Sequence, residues 1–239
     1  MKKAPLDYLA LALDNVSSLS AIANLVQAVA PSIGVFKIGL EQFTRFGPPV
    51  LELIRRADRK IFLDLKFHDI PNTVNKAVQS ACALGVDFLT IHTQGGIAMM
   101  RAAKEATEDA RKLRGHAPKI IGVTLLTSID ADCLRNELSI PLAPADYVRR
   151  LALLAAQAGL DGIVCSAADL PAVKPLLPES FEIITPGIRP AGTEAHDQKR
   201  VATPEEAIKN GATLLVLGRA VTEAEDPGKA AEGVLRGIA

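Results

Sequence analysis

The chain has 239 residues, 49% of them hydrophobic, enough to bury a substantial core in one large domain or two small ones. Twenty-seven basic residues balance 27 acidic ones, which leaves no electrostatic footprint for nucleic acid or an anionic membrane surface. Tryptophan is absent and aromatics make up only 4%, which also argues against base-stacking platforms.

Met1-Lys2-Lys3 could open a signal peptide, but Asp7 and Asp14 interrupt the apolar stretch that follows and no small-residue cleavage pattern closes it. Residues 8–13 therefore read as a first strand. Further short apolar runs lie at 35–38, 61–65, 88–92, 120–125, 162–165, 182–185 and 214–217. Between them, alanine- and leucine-rich stretches at 20–29, 75–83, 98–113 and 147–158 carry helical patterns. Gly85, Gly159 and Gly211 mark helix ends, each just before a strand. No uninterrupted apolar run approaches the roughly 18 residues that span a bilayer.

Eight strand–helix units in this length fit an α/β fold, a (β/α)8 TIM barrel forming a single domain over 1–239. A doubly wound open sheet is the structural rival. The regular spacing, and the absence of a Gly-x-Gly-x-x-Gly turn after the first strand, favour the barrel. No composition shift or low-complexity linker marks a boundary. The cysteines, Cys82, Cys133 and Cys165, are odd in number, far apart and outside any CxxC spacing, so they read as free thiols of a reducing, cytoplasmic compartment.

In a barrel of this type the active site gathers at the C-terminal ends of the strands. Polar residues crowd those ends here. Asp14 ends strand one, Lys37 lies in strand two, Asp64 and Lys66 end strand three, and His92 ends strand four. Thr127 follows strand five, Gly187 and Arg189 follow strand seven, and Gly218-Arg219 follow strand eight.

Asp64-Leu65-Lys66-Phe67-His68-Asp69 is the densest of these segments. Residues two apart in a strand share a side, so Asp64 and Lys66 project together, with Asp69 just beyond. The cluster is either a solvated charge patch, a divalent-ion site helped by His68, or a catalytic array. Lys37, in a buried strand next to strand three, either snorkels to solvent or pairs with Asp64. An alternating lysine–aspartate array favours the charged ammonium form, and an ammonium in a closed pocket stabilises a carbanion and then protonates it. Gly218-Arg219 is either a surface turn or a phosphate grip, where glycine admits close backbone approach and arginine binds two oxygens. The stretch 185–200 reads as a lid or a variable surface loop, with Gln198 near its end. In 124–128, Ser128 is expected to cap the next helix, and Thr127 to face the pocket. His92, His116 and His196 are too scattered for a metal site.

With these residues in view, the chain resembles the bacterial-type orotidine 5′-phosphate decarboxylases. The likeness runs from Leu11-Ala12-Leu13-Asp14 to Gly218-Arg219 and is strongest in Asp64-Leu65-Lys66-Phe67-His68-Asp69-Ile70-Pro71-Asn72-Thr73-Val74. Val35-Phe36-Lys37-Ile38-Gly39, Pro186-Gly187-Ile188-Arg189 and Asp197-Gln198-x-Arg200 also fit. The resemblance implies a homodimeric (β/α)8 barrel that converts orotidine 5′-phosphate to uridine 5′-phosphate and carbon dioxide, with neither metal nor organic cofactor. It casts Lys66 as the proton donor to C6, and Lys37, Asp64 and Asp69 as the rest of the charged array, Asp69 coming from the partner subunit. It implies ribose contacts from Asp14 and Lys37, a ligand contact from Thr73 across the dimer interface, and a pyrimidine-edge contact from Thr127. The phosphate grip falls to Arg189, Gln198, Gly218 and Arg219, with Gln198 also reaching the base.

Two rivals remain at this level. Related sugar-phosphate decarboxylases, such as those acting on 3-keto-gulonate 6-phosphate, share the Asp-x-Lys-x-x-Asp pattern but use magnesium and carry an acidic residue where this chain has Lys37. A non-catalytic phosphate-ligand sensor on the same scaffold is the other, and the intact charged array argues against it.

Overall fold

Strands of a parallel barrel are buried on both faces, which is why each of these reads as a short, continuous apolar run. The computed structural model describes residues 3–189 and 202–238. Within them run β1 (Leu9–Ala12), β2 (Val35–Gly39), β3 (Lys60–Phe67), β4 (Phe88–His92), β5 (Lys119–Val123), β6 (Gly162–Val164), β7 (Glu182–Pro186) and β8 (Leu214–Leu217). All pair in parallel, in chain order, and β8 returns to β1 through Leu9↔Leu215, closing the barrel. The fold expected from the sequence is thus the fold found.

Helices pack around the strands: α1 (Leu19–Val29), α2 (Leu40–Phe46), α3 (Pro49–Arg56), α4 (Pro71–Ala83), α5 (Gly96–Arg114), α6 (Pro144–Gln157), α7 (Leu170–Val173), α8 (Pro204–Lys209), α9 (Arg219–Thr222) and α10 (Pro227–Ile238). Local chemistry sets their ends. Ser18 caps α1 by accepting from the Ala21 N–H, and α1 buries Ile22, Val26 and Val29 at helical spacing. Gly85, Gly159 and Gly211 do have positive φ, as their place between helix and strand implied. No helix among the described residues is long and apolar enough to cross a membrane.

The core has two parts. Leu9, Leu11, Phe36, Ile38, Ile61, Leu63 and their neighbours point outward under the helices. Ala10, Ala12, Val35, Phe62, Phe88, Ile121, Ile184, Leu214 and Val216 fill the barrel. Below this plug, charged groups close the N-terminal mouth: the Lys119 ammonium donates to Glu182 at 2.6 Å, Thr213 Oγ1 donates to the other Glu182 oxygen at 2.6 Å, and Lys60 pairs with Asp7 at 2.7 Å. Above it the chain is polar, and the site begins there.

Two details depart from the sequence reading. The strand–helix unit after the second strand, for which no helical stretch was singled out, is completed by two short helices, α2 and α3. Ser128 does not cap the following turn; Asp130 Oδ1 accepts from the backbone N–H groups of Asp132 and Cys133 instead. Asp130 stands two and three residues before those donors, the spacing an N-cap needs, whereas Ser128 stands four and five before them.

Candidate active site

In six of the eight strands the inward register leads from the apolar plug to a polar or small residue two positions on. Val35 leads to Lys37, Phe62 to Asp64, Phe88 to Thr90, Val164 to Ser166, Ala12 to Asp14 and Val216 to Gly218. The result is a cavity of about 480 Å³ at the C-terminal end of the barrel. Asp14, Lys37, Asp64, Lys66, Thr127, Arg189, Gly218 and Arg219 all line it.

Asp64 is its electrostatic centre. Its side chain is 10% exposed. The Lys66 ammonium lies 2.8 Å and the Lys37 ammonium 3.4 Å from the same oxygen, Oδ2. Lys37 also lies 3.2 Å from Asp14 Oδ2, so charge alternates Asp14–Lys37–Asp64–Lys66 across β1, β2 and β3. Burial pushes the Asp64 carboxyl upward, but Lys37 and Lys66, with hydrogen bonds from Lys66 and Thr90, more than reverse this and hold it below the usual carboxylate value. Gly39 keeps room for the chain of charges: a Cβ there would sit 3.0 Å from Asp14 Oδ1 and 3.3 Å from Lys37 Nζ.

Lys66 reaches the pocket by a route that simple strand alternation does not describe. Between the pairs Leu63↔Leu89 and Phe67↔Ile91, β3 advances four residues and β4 only two. The bulge re-aims the chain, and Lys66 takes φ +50°. A left-handed backbone at a non-glycine residue costs about 1–2 kcal/mol. The Lys66 N–H donates to Thr90 Oγ1 at 2.9 Å, and that hydroxyl donates to Asp64 Oδ1 at 2.9 Å. Thr90 was missed in the sequence because it sits inside an apolar run. The alternation Phe88, Thr90, His92 was the available signal, since Phe88 faces the barrel interior.

His92 follows Thr90 inward, and its ring lies 5.5 Å from that of His68. Burial, then the neighbouring His68 and Lys66, lower its pKa and favour the neutral imidazole. On the opposite wall Ser166 Oγ donates to Asp169 Oδ2 at 2.5 Å, both residues being buried. Cys165, beside Ser166, has its thiol pushed far up by burial and then by Asp169, so it is an inert wall rather than a nucleophile.

Arg189 and Arg219 line the far side of the cavity, after β7 and β8. A Cβ built on Gly218 would meet no atom within 4 Å, so the backbone there is open to a ligand. The Arg189 N–H donates to Ala202 O at 3.1 Å, tying together the chain on either side of 190–201. Gln198 lies outside the described residues.

Asp69 and Thr73 do not line this cavity. Asp69 is exposed, its Oδ1 accepting from the Ile70 N–H at 2.7 Å, and Ile70 is 66% exposed. Thr73 is exposed in the first turn of α4.

The family model described as orotidine 5′-phosphate decarboxylase / HUMPS family matches residues 7–234. The orotidine 5′-phosphate decarboxylase of Moorella thermoacetica is 46% identical over 229 residues, covering 95% of this chain and 90% of that protein. That of Shewanella sediminis is 48% identical over 208 residues, covering 87% of each. Among solved structures, orotidine 5′-phosphate decarboxylase from Lactobacillus acidophilus superposes with a TM-score of 0.84 at 34% identity, covering 96% of this chain and 98% of that one.

Proposed function

The chain belongs to the orotidine 5′-phosphate decarboxylase / HUMPS family, and on that premise we propose that it converts orotidine 5′-phosphate to uridine 5′-phosphate and carbon dioxide, the last step in making this pyrimidine nucleotide, as a single barrel domain. The observation that carries the reading is the alternating array Asp14–Lys37–Asp64–Lys66 at the mouth of the cavity. Lys37 is the discriminating member, because a magnesium-dependent sugar-phosphate enzyme would want an acid there, and here an ammonium sits 3.2 Å from Asp14 and 3.4 Å from Asp64.

The reaction breaks the bond between C6 and the carboxylate and leaves its electron pair on C6. Carbon dioxide departs, and a proton must arrive at C6. The Lys66 ammonium stabilises the developing carbanion and then delivers that proton, after which solvent recharges the amine. Asp64 orients Lys66 through the 2.8 Å contact and lies beside the departing carboxylate. No metal or organic cofactor is needed in this scheme, since fixed charge takes the place of an electron sink.

Asp14 and Lys37 take the ribose hydroxyls, and Thr127 the pyrimidine edge. Arg189, Gln198, Gly218 and Arg219 take the phosphate, with Gln198 also meeting the base. The phosphate is remote from the breaking bond, so its binding energy is realised in ordering the site for the transition state. Asp69 and Thr73 act from a second copy of the chain: their exposure beside Ile70 leaves them available to a neighbour's pocket. The proposal is therefore a homodimer with shared sites. Cys82, Cys133 and Cys165 are all unpaired, which supports a cytoplasmic location.

The test is the loss of orotidine absorbance when purified protein is given orotidine 5′-phosphate, with and without chelator. Equal turnover in both supports the reading. No turnover, or turnover abolished by chelator, refutes it.

A further inference from the structure

Thr90 holds two of the charged groups in place, and nothing in the proposed chemistry assigns it a part. It is fully buried in β4, between the barrel plug and the cavity. Its one hydroxyl has two partners on the same strand: it accepts from the Lys66 N–H at 2.9 Å and donates to Asp64 Oδ1 at 2.9 Å. The first bond satisfies the backbone donor at the left-handed turn that aims Lys66 into the pocket. The second fixes the carboxylate whose other oxygen faces Lys66 and Lys37. A hydroxyl is suited to this, because it accepts and donates at once. Valine has the same shape and does neither.

We infer that Thr90 is the positioning residue of the lysine–aspartate pair, coupling the Lys66 backbone to the Asp64 carboxylate through a single oxygen. The inference rests on the decarboxylase reading for its kinetic consequence, but its physical core concerns Asp64 and Lys66 alone. Loss of the hydroxyl leaves the Lys66 N–H without its partner at the bulge and frees Asp64 to rotate. Misplacement of a reacting group by about 1 Å costs on the order of 100-fold in rate. The phosphate and ribose contacts lie on β1, β2, β7 and β8, so ligand binding is spared.

The groups that face the Asp64 carboxylate are Lys37 from β2, Lys66 from β3, and Thr90 and His92 from β4; Asp14 stands behind Lys37. Burial favours protonation of Asp64, and Thr90 is one of the groups opposing it. Replacement by valine should therefore move the carboxyl titration upward.

The experiment compares Thr90→Val with Thr90→Ser. Valine should lower kcat by about 100-fold, leave KM for orotidine 5′-phosphate within about threefold, and shift the acid limb of the pH profile to higher pH. Serine, which keeps the oxygen, should stay within about threefold of the parent. Should valine not fold, Thr90→Ala against Thr90→Ser gives the same one-oxygen comparison. A carboxyl-carbon NMR titration of Asp64 in the ligand-free protein needs no turnover, so it tests Thr90 even where the substrate assignment fails. Parent-like kcat and an unmoved Asp64 titration in the hydroxyl-free variants would overturn the inference, as would serine proving as slow as valine.

Discussion

Lys66 donates to Asp64 Oδ2 at 2.8 Å while its own backbone stands at φ +50°, so this charge pair is built on a bulge rather than on a regular strand. The arrangement makes Lys66 a group held in one place. An ammonium anchored by a buried carboxylate presents its charge and its proton to the same point of the cavity each time.

In the proposed mechanism, Lys66→Ala removes both carbanion stabilisation and the proton source. Turnover of orotidine 5′-phosphate should fall by roughly 10⁴-fold or more, the product of a proton-transfer contribution of about 10²–10⁴ and an electrostatic one of about 10²–10³. Uridine 5′-phosphate should still bind, because the phosphate and ribose contacts proposed for it are elsewhere, and calorimetry reads this directly. A folded variant that decarboxylates near the parent rate removes Lys66 from the role.

Arg219→Ala tests the other end of the cavity. If Arg219 grips the phosphate as proposed, loss of that charge-assisted, two-pronged contact should raise KM for the phosphorylated substrate by about 100-fold. Turnover of orotidine, which lacks the phosphate, should not change. An unchanged KM, or an equal loss with orotidine, takes Arg219 out of the phosphate site.

The parts of this picture differ in how far the amino-acid sequence revealed them, for physical reasons. Burial on both faces makes parallel strands conspicuous, so the eight apolar runs marked the barrel, and the polar residues just past them marked its working rim. Lys37 and Asp64 were legible as a pair because neighbouring strands of a barrel are adjacent in the chain order. The bulge at Lys66 was not legible, since it depends on the register between β3 and β4, a tertiary property. Thr90 was hidden because threonine is at home in a buried strand and its two partners are contributed by another one. The split of the second unit's helix into α2 and α3 was hidden by their shortness and by Gly47 and Pro48 between them. Asp69, read from the charge pattern, and Thr73, singled out by resemblance, lie outside the cavity of a single chain.

The N-terminal mouth of the barrel supplies a stability prediction. Burial pushes the Glu182 carboxyl up, but hydrogen bonds from Lys119 and Thr213 and the charges of Lys3 and Lys119 bring it below its ordinary value of 4.5. A folded-state value below the unfolded one means stabilisation that is complete above the ordinary value and is lost as pH falls through the folded one. Glu182→Gln should therefore lower stability at neutral pH by about 1–3 kcal/mol. The deficit should shrink as the pH drops below 4.5. Thermal melts of both proteins from neutral to acid pH check this, and a deficit that does not vary with pH contradicts it.

The proposed shared site makes the sharpest quantitative claim. Asp69 is exposed and absent from its own chain's cavity, while Lys66 lines it. If each pocket takes Lys66 from one subunit and Asp69 from the other, Lys66→Ala and Asp69→Ala dimers are each inactive. A mixed dimer then carries one pocket with both lesions and one with neither. Random exchange of equal amounts makes half the dimers mixed, so activity should recover to about a quarter of the parent level per site. The measurement is turnover after dissociation and reassociation, with differently tagged subunits proving the exchange. Proven mixed dimers that stay inactive would place both residues in the same pocket's chain and end the shared-site reading.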